Sequence, residues 1–191
     1  MSNSASGRLG LRKRDLRSGD EAILLEATLI NLNWNEARFR ERDVLSNPEF
    51  AHYATVVPER GDFGVVAFHR ARWVGVVWIV FLPSEDPGYG FVKPQIGELS
   101  VCVQESVRGS GLGREIMNDA ISVACSRGNA GVSLSVEDGN PARNLYESLG
   151  FVDAGGDTLP GTMVLDLNQG IPAADHGAPC PSHGATVDPT V

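Results

Sequence analysis

Residues 107–116, VRGSGLGREI, set Gly109, Gly111 and Gly113 between Arg108 and Arg114 and then run straight into an amphipathic stretch. Glycines in such a run let main-chain N–H groups come within hydrogen-bonding distance of a ligand, and the chemistry they suit is the holding of an anion. Where a strand gives way to a helix, the N–H groups of the first turn lack intrahelical partners and the positive end of the helix dipole faces outward. A unit negative charge there gains about 0.3–1 kcal/mol when exposed and up to about 2 kcal/mol when partly buried, so a diphosphate gripped by several amides is a credible ligand. The competing reading is a tight glycine loop that binds nothing.

Such a loop needs a strand before it and a helix behind it, and the flanking sequence supplies both. IGELSVCV (96–103) reads as a strand. GREIMNDAISVACSRG (113–128) carries Ile116, Met117, Ala120, Ile121 and Ala124 on one stripe and stops at Gly128. AGVSLSV (130–136) then reads as a strand, NPARNLYESLG (140–150) as a helix, and FVDAGG and TMVLDL as two closing strands. Upstream, GRLGLRKRDL (7–16) alternates like a strand, and residues 20–32 repeat at helical spacing behind Ser18 or Asp20 as cap. Asn47 and Pro48 start a short second helix in NPEFAHYA. The β-branched and aromatic runs 62–70 and 72–82, with almost nothing between them, read as a hairpin. Strands and helices alternate without a repeat, which predicts an α/β (α+β) domain.

Composition bounds the function. A chain of 191 residues suits one domain, ending near Leu167, and the Pro/Gly/Ala-rich residues 168–191 read as a disordered tail. Net charge −8 argues against a duplex-binding surface, and nucleic acid is not an expected partner. The longest apolar run, 73–82, falls far short of the ~20 residues that span a bilayer. The three cysteines are scattered and odd in number, which suits a reducing compartment, and a cytoplasmic location is expected. His176, Cys180 and His183 lack metal-site spacing and an evident fourth ligand, so no metal is expected. Monomer and homodimer both stay open.

Three phosphate-binding templates separate at the loop. A nucleoside-triphosphate P-loop needs a lysine followed by Ser/Thr, but Gly113 is followed by Arg114 and Glu115. A dinucleotide fingerprint needs a glycine at position 114, which is arginine. The pattern Arg/Gln-x-x-Gly-x-Gly/Ala is met by Arg108, Gly111 and Gly113. With ELSVCVQESVRGSGLG and LSVEDGNPARNLYESLGF in the expected order, the chain resembles the GNAT superfamily of acetyl-CoA-dependent N-acetyltransferases. The resemblance covers residues 60–167 well and the earlier part by element order alone.

The resemblance implies a mixed, mostly antiparallel twisted sheet of about six to seven strands flanked by about four helices. It also implies that the amides of Arg108, Gly109, Ser110, Gly111, Leu112, Gly113 and Arg114 hold the acetyl-CoA pyrophosphate. Main-chain groups near Val101 and Val103 would bond the pantetheine in a gap between splayed strands, Asn140 would reach it, and Tyr146 would stand beside the thioester sulfur. Asn140 is equally a helix cap before Pro141, and Tyr146 lies on the apolar stripe of its helix. Arg108 and Arg143 are candidates for the CoA phosphates. Glu105 stands where the family often has proline.

In that family the acceptor is a primary amine, on a small molecule or a protein. At pH 7, finding it neutral costs roughly 4–5 kcal/mol when its pKa is near ~10.4. Glu98, opening the strand beside the thioester, is the candidate base, directly or through water, provided burial raises its pKa. Tyr146, with an ordinary pKa near ~10 against ~8.5 for a thiol, would act chiefly as a hydrogen-bond donor to sulfur. Cys102 reads as a buried strand residue. The alternative function is a non-catalytic acyl-CoA-binding sensor on the same fold.

Overall fold

The computed structural model describes residues 10–168. The expected tail, with His176, Cys180 and His183, and the start of the expected first strand lie outside them. The described chain forms β1 (Leu11–Asp15), α1 (Glu21–Leu32), α2 (Glu41–Ser46), α3 (Pro48–Ala51), β2 (Phe63–His69), β3 (Arg72–Val80) and β4 (Gly97–Val103). It continues with α4 (Leu112–Ser126), β5 (Gly131–Ser135), α5 (Ala142–Ser148), β6 (Val152–Asp153) and β7 (Thr162–Asp166). The strands make one seven-stranded sheet in the order β1-β2-β3-β4-β5-β7-β6. Every pairing is antiparallel except β4 with β5.

The centre follows from side-chain type. β2 and β3 are rich in β-branched and aromatic residues, and seven successive residues of β3, from Val74 to Val80, are buried. Such a strand must be covered on both faces. On one face Val77 and Ile79 join Ile116, Met117 and Ala120 of α4 and Tyr146 of α5. On the other, Val76, Trp78 and Val80 join Leu24 and Ala27 of α1 and Tyr53 beyond α3. The β2–β3 hairpin closes through Arg70 and Ala71, with Arg70 at φ 57°.

Local signals hold at most ends. Asn47 Oδ1 accepts from the Glu49 N–H at 3.0 Å, with Pro48 in the first helical turn. Asp20, not Ser18, occupies the cap position of α1, but its side chain does not cap. Its carboxylate instead accepts from Arg14 at 2.7 and 2.8 Å and from the Arg17 N–H at 2.9 Å, tying β1 to α1. This pairing holds the Asp20 carboxyl below its usual range. The sequence reading has no counterpart of α2, where Val44 alone is buried. FVDAGG supplies a strand only at Val152 and Asp153, because Gly155 and Gly156 turn the chain with positive φ.

Candidate active site

One topological fact creates the site. β4 and β5 pair only at Gly97↔Val132 and Glu98↔Ser133, after which the two strands separate. The Gln104 N–H bonds the Val74 carbonyl at 2.9 Å, which fixes the phase of the β3–β4 ladder. Alternation then aims the backbone of Leu99, Val101 and Val103 away from β3, toward β5. Beyond Glu98 no β5 residue meets it. The resulting cleft, about 970 Å³, is lined along its length by Glu98, Val101, Val103, Gly111, Asn140 and Tyr146.

Not every main-chain group in the gap is free. The Val101 carbonyl accepts from Asn31 Nδ2 at 3.1 Å and the Val103 carbonyl from Arg108 Nε at 3.2 Å. The N–H groups of Val101 and Val103 are left facing the gap without a strand partner. Arg108 is thereby folded back onto β4, a contact with no sequence signal.

At the outer end, Glu105–Val107 form a single 3-10 turn, so glutamate in place of proline still lets the chain turn. Gly109 and Gly111 have φ of 75° and 87°, a region L residues avoid, and a Cβ on either would meet open space. Backbone conformation, not crowding, asks for glycine there. The expected run of amides narrows in the structure. The Arg108 N–H bonds the Glu105 carbonyl and the Ser110 N–H the Val107 carbonyl, while Leu112 N–H lies 3.4 Å from Ser110 Oγ. Among the described residues the N–H groups of Gly109, Gly111, Gly113 and Arg114 have no protein partner, and all four residues line the cleft. Ser110 differs from these four: its hydroxyl and N–H both turn inward to Val107, and it does not line the cleft. Leu112 places its side chain in the core.

Asn140 caps α5 with one end of its amide and leaves the other end unpartnered. Oδ1 caps α5 by accepting from the Ala142 N–H at 2.9 Å, which leaves Nδ2 without a protein partner beside the cleft. Arg143 is paired with carboxylates. It is held by Glu147 at 2.9 Å and Asp153 at 2.7 Å and does not line the cleft. One turn of α5 after Ala142, Tyr146 points inward, 9% exposed, and its hydroxyl makes no hydrogen bond within the described protein. Burial, with the Cys102 thiol adding to it, pushes the phenol up to about 12. Burial also raises Cys102, a free thiol, to about 12.

Glu98 lies at the inner end, 4% exposed. Its Oε1 accepts from the Tyr53 hydroxyl at 2.6 Å and from the Gly90 N–H at 2.8 Å, and its Oε2 is buried without a partner. Burial raises the carboxyl above its usual range, although those two hydrogen bonds favour the charged form. The Tyr53 hydroxyl itself accepts from the Tyr89 N–H at 2.8 Å, and burial beside Glu98 drives its own pKa far up. A Cβ at Gly88 would overlap Glu98 Oε2 and the Tyr53 hydroxyl, so only glycine lets this loop close over the carboxylate.

Opposite walls of the cleft are joined by side-chain hydrogen bonds. Trp34 Nε1 donates to Glu137 Oε2 at 2.6 Å and Arg38 Nη2 to Glu137 Oε1 at 3.1 Å, linking the segment after α1 to the segment after β5. These bonds, Trp34 first, hold Glu137 below its usual range. Asn31, Arg38 and Glu137 thus line the cleft without a motif, since each comes from a different local context.

With this geometry in view, the relatives are informative. The signature of the Acetyltransferase (GNAT) family matches residues 27–151. The chain belongs to that family. Its fold is shared by a GNAT acetyltransferase from Staphylococcus aureus Mu50, at 13% identity over 82% of this chain and 99% of that one, TM-score 0.61. It is shared also by yncA from Salmonella typhimurium, solved with its cofactor acetyl-CoA, at 23% identity over 89% and 98% of the two chains, TM-score 0.58. A spermidine N-acetyltransferase SpeG chimera from Vibrio cholerae and hSSAT matches at 18% identity over 82% and 95%, TM-score 0.55. No curated protein sequence matches the chain. Among the described residues no helix is long and apolar enough to cross a membrane.

Proposed function

We propose that the protein is an acetyltransferase that moves the acetyl group of acetyl-CoA to a primary amine in a single ternary complex. The observation that carries this reading is the continuity of the cleft, which runs from free amides at the α4 N-terminus to a buried, unpartnered carboxylate oxygen. The Gly109, Gly111, Gly113 and Arg114 N–H groups suit a diphosphate, the α4 dipole favours it, and Arg108 adds charge nearby. The N–H groups of Val101 and Val103, with Asn140 Nδ2, suit the amide-bearing arm between the splayed strands. Acetyl-CoA supplies the activated acyl group.

The residues then divide the proton work. Glu98, its carboxyl raised by burial, takes the amine's proton, through a water where Gly88 covers Oε2. Tyr53 and the Gly90 N–H fix the carboxylate's orientation. Tyr146, protonated throughout the ordinary pH range, donates a hydrogen bond to sulfur as charge gathers there. A Cys102 thiol at about 12 stays protonated at neutral pH and is no nucleophile, which supports direct attack rather than an acyl-enzyme. In an assay of CoA thiol release with acetyl-CoA and a primary-amine panel, Tyr146→Phe should lower kcat at least ~10-fold, less than the about 10²–10⁴-fold of full proton transfer because Tyr146 acts chiefly as a hydrogen-bond donor. Equal turnover in the variant removes Tyr146 from the chemistry. Binding of acetyl-CoA in calorimetry, with no thiol released above the rate without protein for any amine, replaces the enzyme with a sensor.

A further inference from the structure

We propose, building on that acetyl-transfer reading, that the acceptor is a monoamine whose amino group sits on an aromatic or bulky apolar body free of carboxylate and phosphate. The inner end of the cleft has an ordered aromatic wall. Phe39 and Phe50 meet edge to face at 5.2 Å, and Phe50 and Tyr89 stack at 6.1 Å with planes 29° apart. The wall abuts the candidate base, because the Tyr89 N–H bonds the Tyr53 hydroxyl, which bonds Glu98. Tyr89 is 36% exposed, yet its ring is fixed by a 2.8 Å bond from its hydroxyl to Glu49. Ring faces so placed attract both an apolar body and the ammonium that it carries.

The charge pattern excludes the other common amines. The arginines lining the cleft are Arg38, Arg108 and Arg114. Arg108 and Arg114 belong to the glycine loop at the opposite end. Arg38 is the one near the wall, lying 5.5 Å from the Phe39 ring centre, and Glu137 neutralises it at 3.1 Å. An acceptor's carboxylate or phosphate would therefore be desolvated there without a free cation, and the buried, unpartnered indole N–H of Trp78 is neutral. A polyamine meets the converse difficulty. Among the described residues Glu98 and Glu137 are the carboxylates lining the cleft, and since Glu98 can take one ammonium and Glu137 is already held by Trp34 and Arg38, further ammonium groups would meet no free carboxylate.

The test uses the full chain, saturating acetyl-CoA, and three amines: phenethylamine, phenylalanine, which adds a carboxylate, and spermidine, a polyamine without a ring. Phenethylamine should exceed both others in kcat/KM by at least ~10-fold, the scale on which an unpaired buried polar group is rejected. Tyr89→Ala should raise the phenethylamine KM about tenfold with kcat within about twofold, whereas Tyr89→Phe, which keeps the ring and drops the Glu49 bond, should hold KM within about threefold. Phenylalanine or spermidine turning over as well as phenethylamine, or Tyr89→Ala leaving KM unchanged, overturns the acceptor assignment and leaves the transferase reading standing. Acetyl-CoA binding in calorimetry with no thiol release for any of the three, nor for any member of the wider primary-amine panel, overturns both.

Discussion

The two ends of the cleft are built on different principles. At the outer end the ligand-facing groups are main-chain N–H donors at the mouth of α4, carried by Gly109, Gly111, Gly113 and Arg114 of one short stretch. At the inner end they are side chains from separate segments, with Glu98 from β4, Tyr53 after α3, Tyr89 and Gly90 from the loop before β4, and Phe39 after α1. A main-chain cradle needs the right φ angles and little else, so it is set by local sequence. A side-chain cluster is set by packing, and each member depends on elements distant in the chain. Recognition of a constant donor and of a particular acceptor can therefore vary independently.

That contrast can be broken most sharply at Glu98. Glu98→Gln keeps the shape but removes the base, and kcat should fall by about 10²-fold or more. In the unaltered protein kcat should drop as pH falls through the Glu98 pKa, and because burial raises that pKa the drop should come at higher pH than for an exposed glutamate. The limb should vanish in Glu98→Gln, and an unchanged pH profile would assign the base elsewhere. A smaller effect is expected at Gly111. Its φ of 87° costs an L residue about 1–2 kcal/mol, so Gly111→Ala should lower the melting temperature and weaken acetyl-CoA binding in calorimetry, while KM for the amine stays put.

Tyr53→Phe sharpens the same division more gently. Losing the 2.6 Å donor removes stabilisation from charged Glu98, so the acid limb should move to still higher pH and kcat at neutral pH should fall several-fold, with acetyl-CoA affinity unaltered. The smallest effect belongs to Arg143→Ala. Its partners Glu147 and Asp153 are surface carboxylates, and the acetyl-CoA KM should stay within about twofold, since exposed pairs contribute little. A marked rise in that KM would return Arg143 to the cofactor's phosphates.

The readable parts of the molecule share a trait. The buried stripe of α4 (Ile116, Met117, Ala120, Ile121 and Ala124) repeats at 3.6 residues, and the hairpin β2–β3 announces itself by β-branched residues on either side of a two-residue turn. α2 escaped because six residues with Val44 as the one buried side chain give no period. The partners of Arg143 were unreadable for a related reason. Its position in the sequence says nothing about which way its side chain leaves α5, and Glu147 one turn on, with Asp153 of β6, holds it.

Sequence by itself determined the glycine loop, the strand and helix that frame it, and through Arg108, Gly111 and Gly113 the family to which the chain belongs. Those features rest on dihedral preference and short-range periodicity, which act between residues a few positions apart. Only the tertiary structure decided that β4 and β5 part after Glu98, that Tyr53 and Gly90 orient that carboxylate, and that Trp34 and Arg38 reach across to Glu137. Burial and charge pairing are properties of the assembled neighbourhood, and 45 positions of chain separate the Tyr53 hydroxyl from the carboxylate it holds.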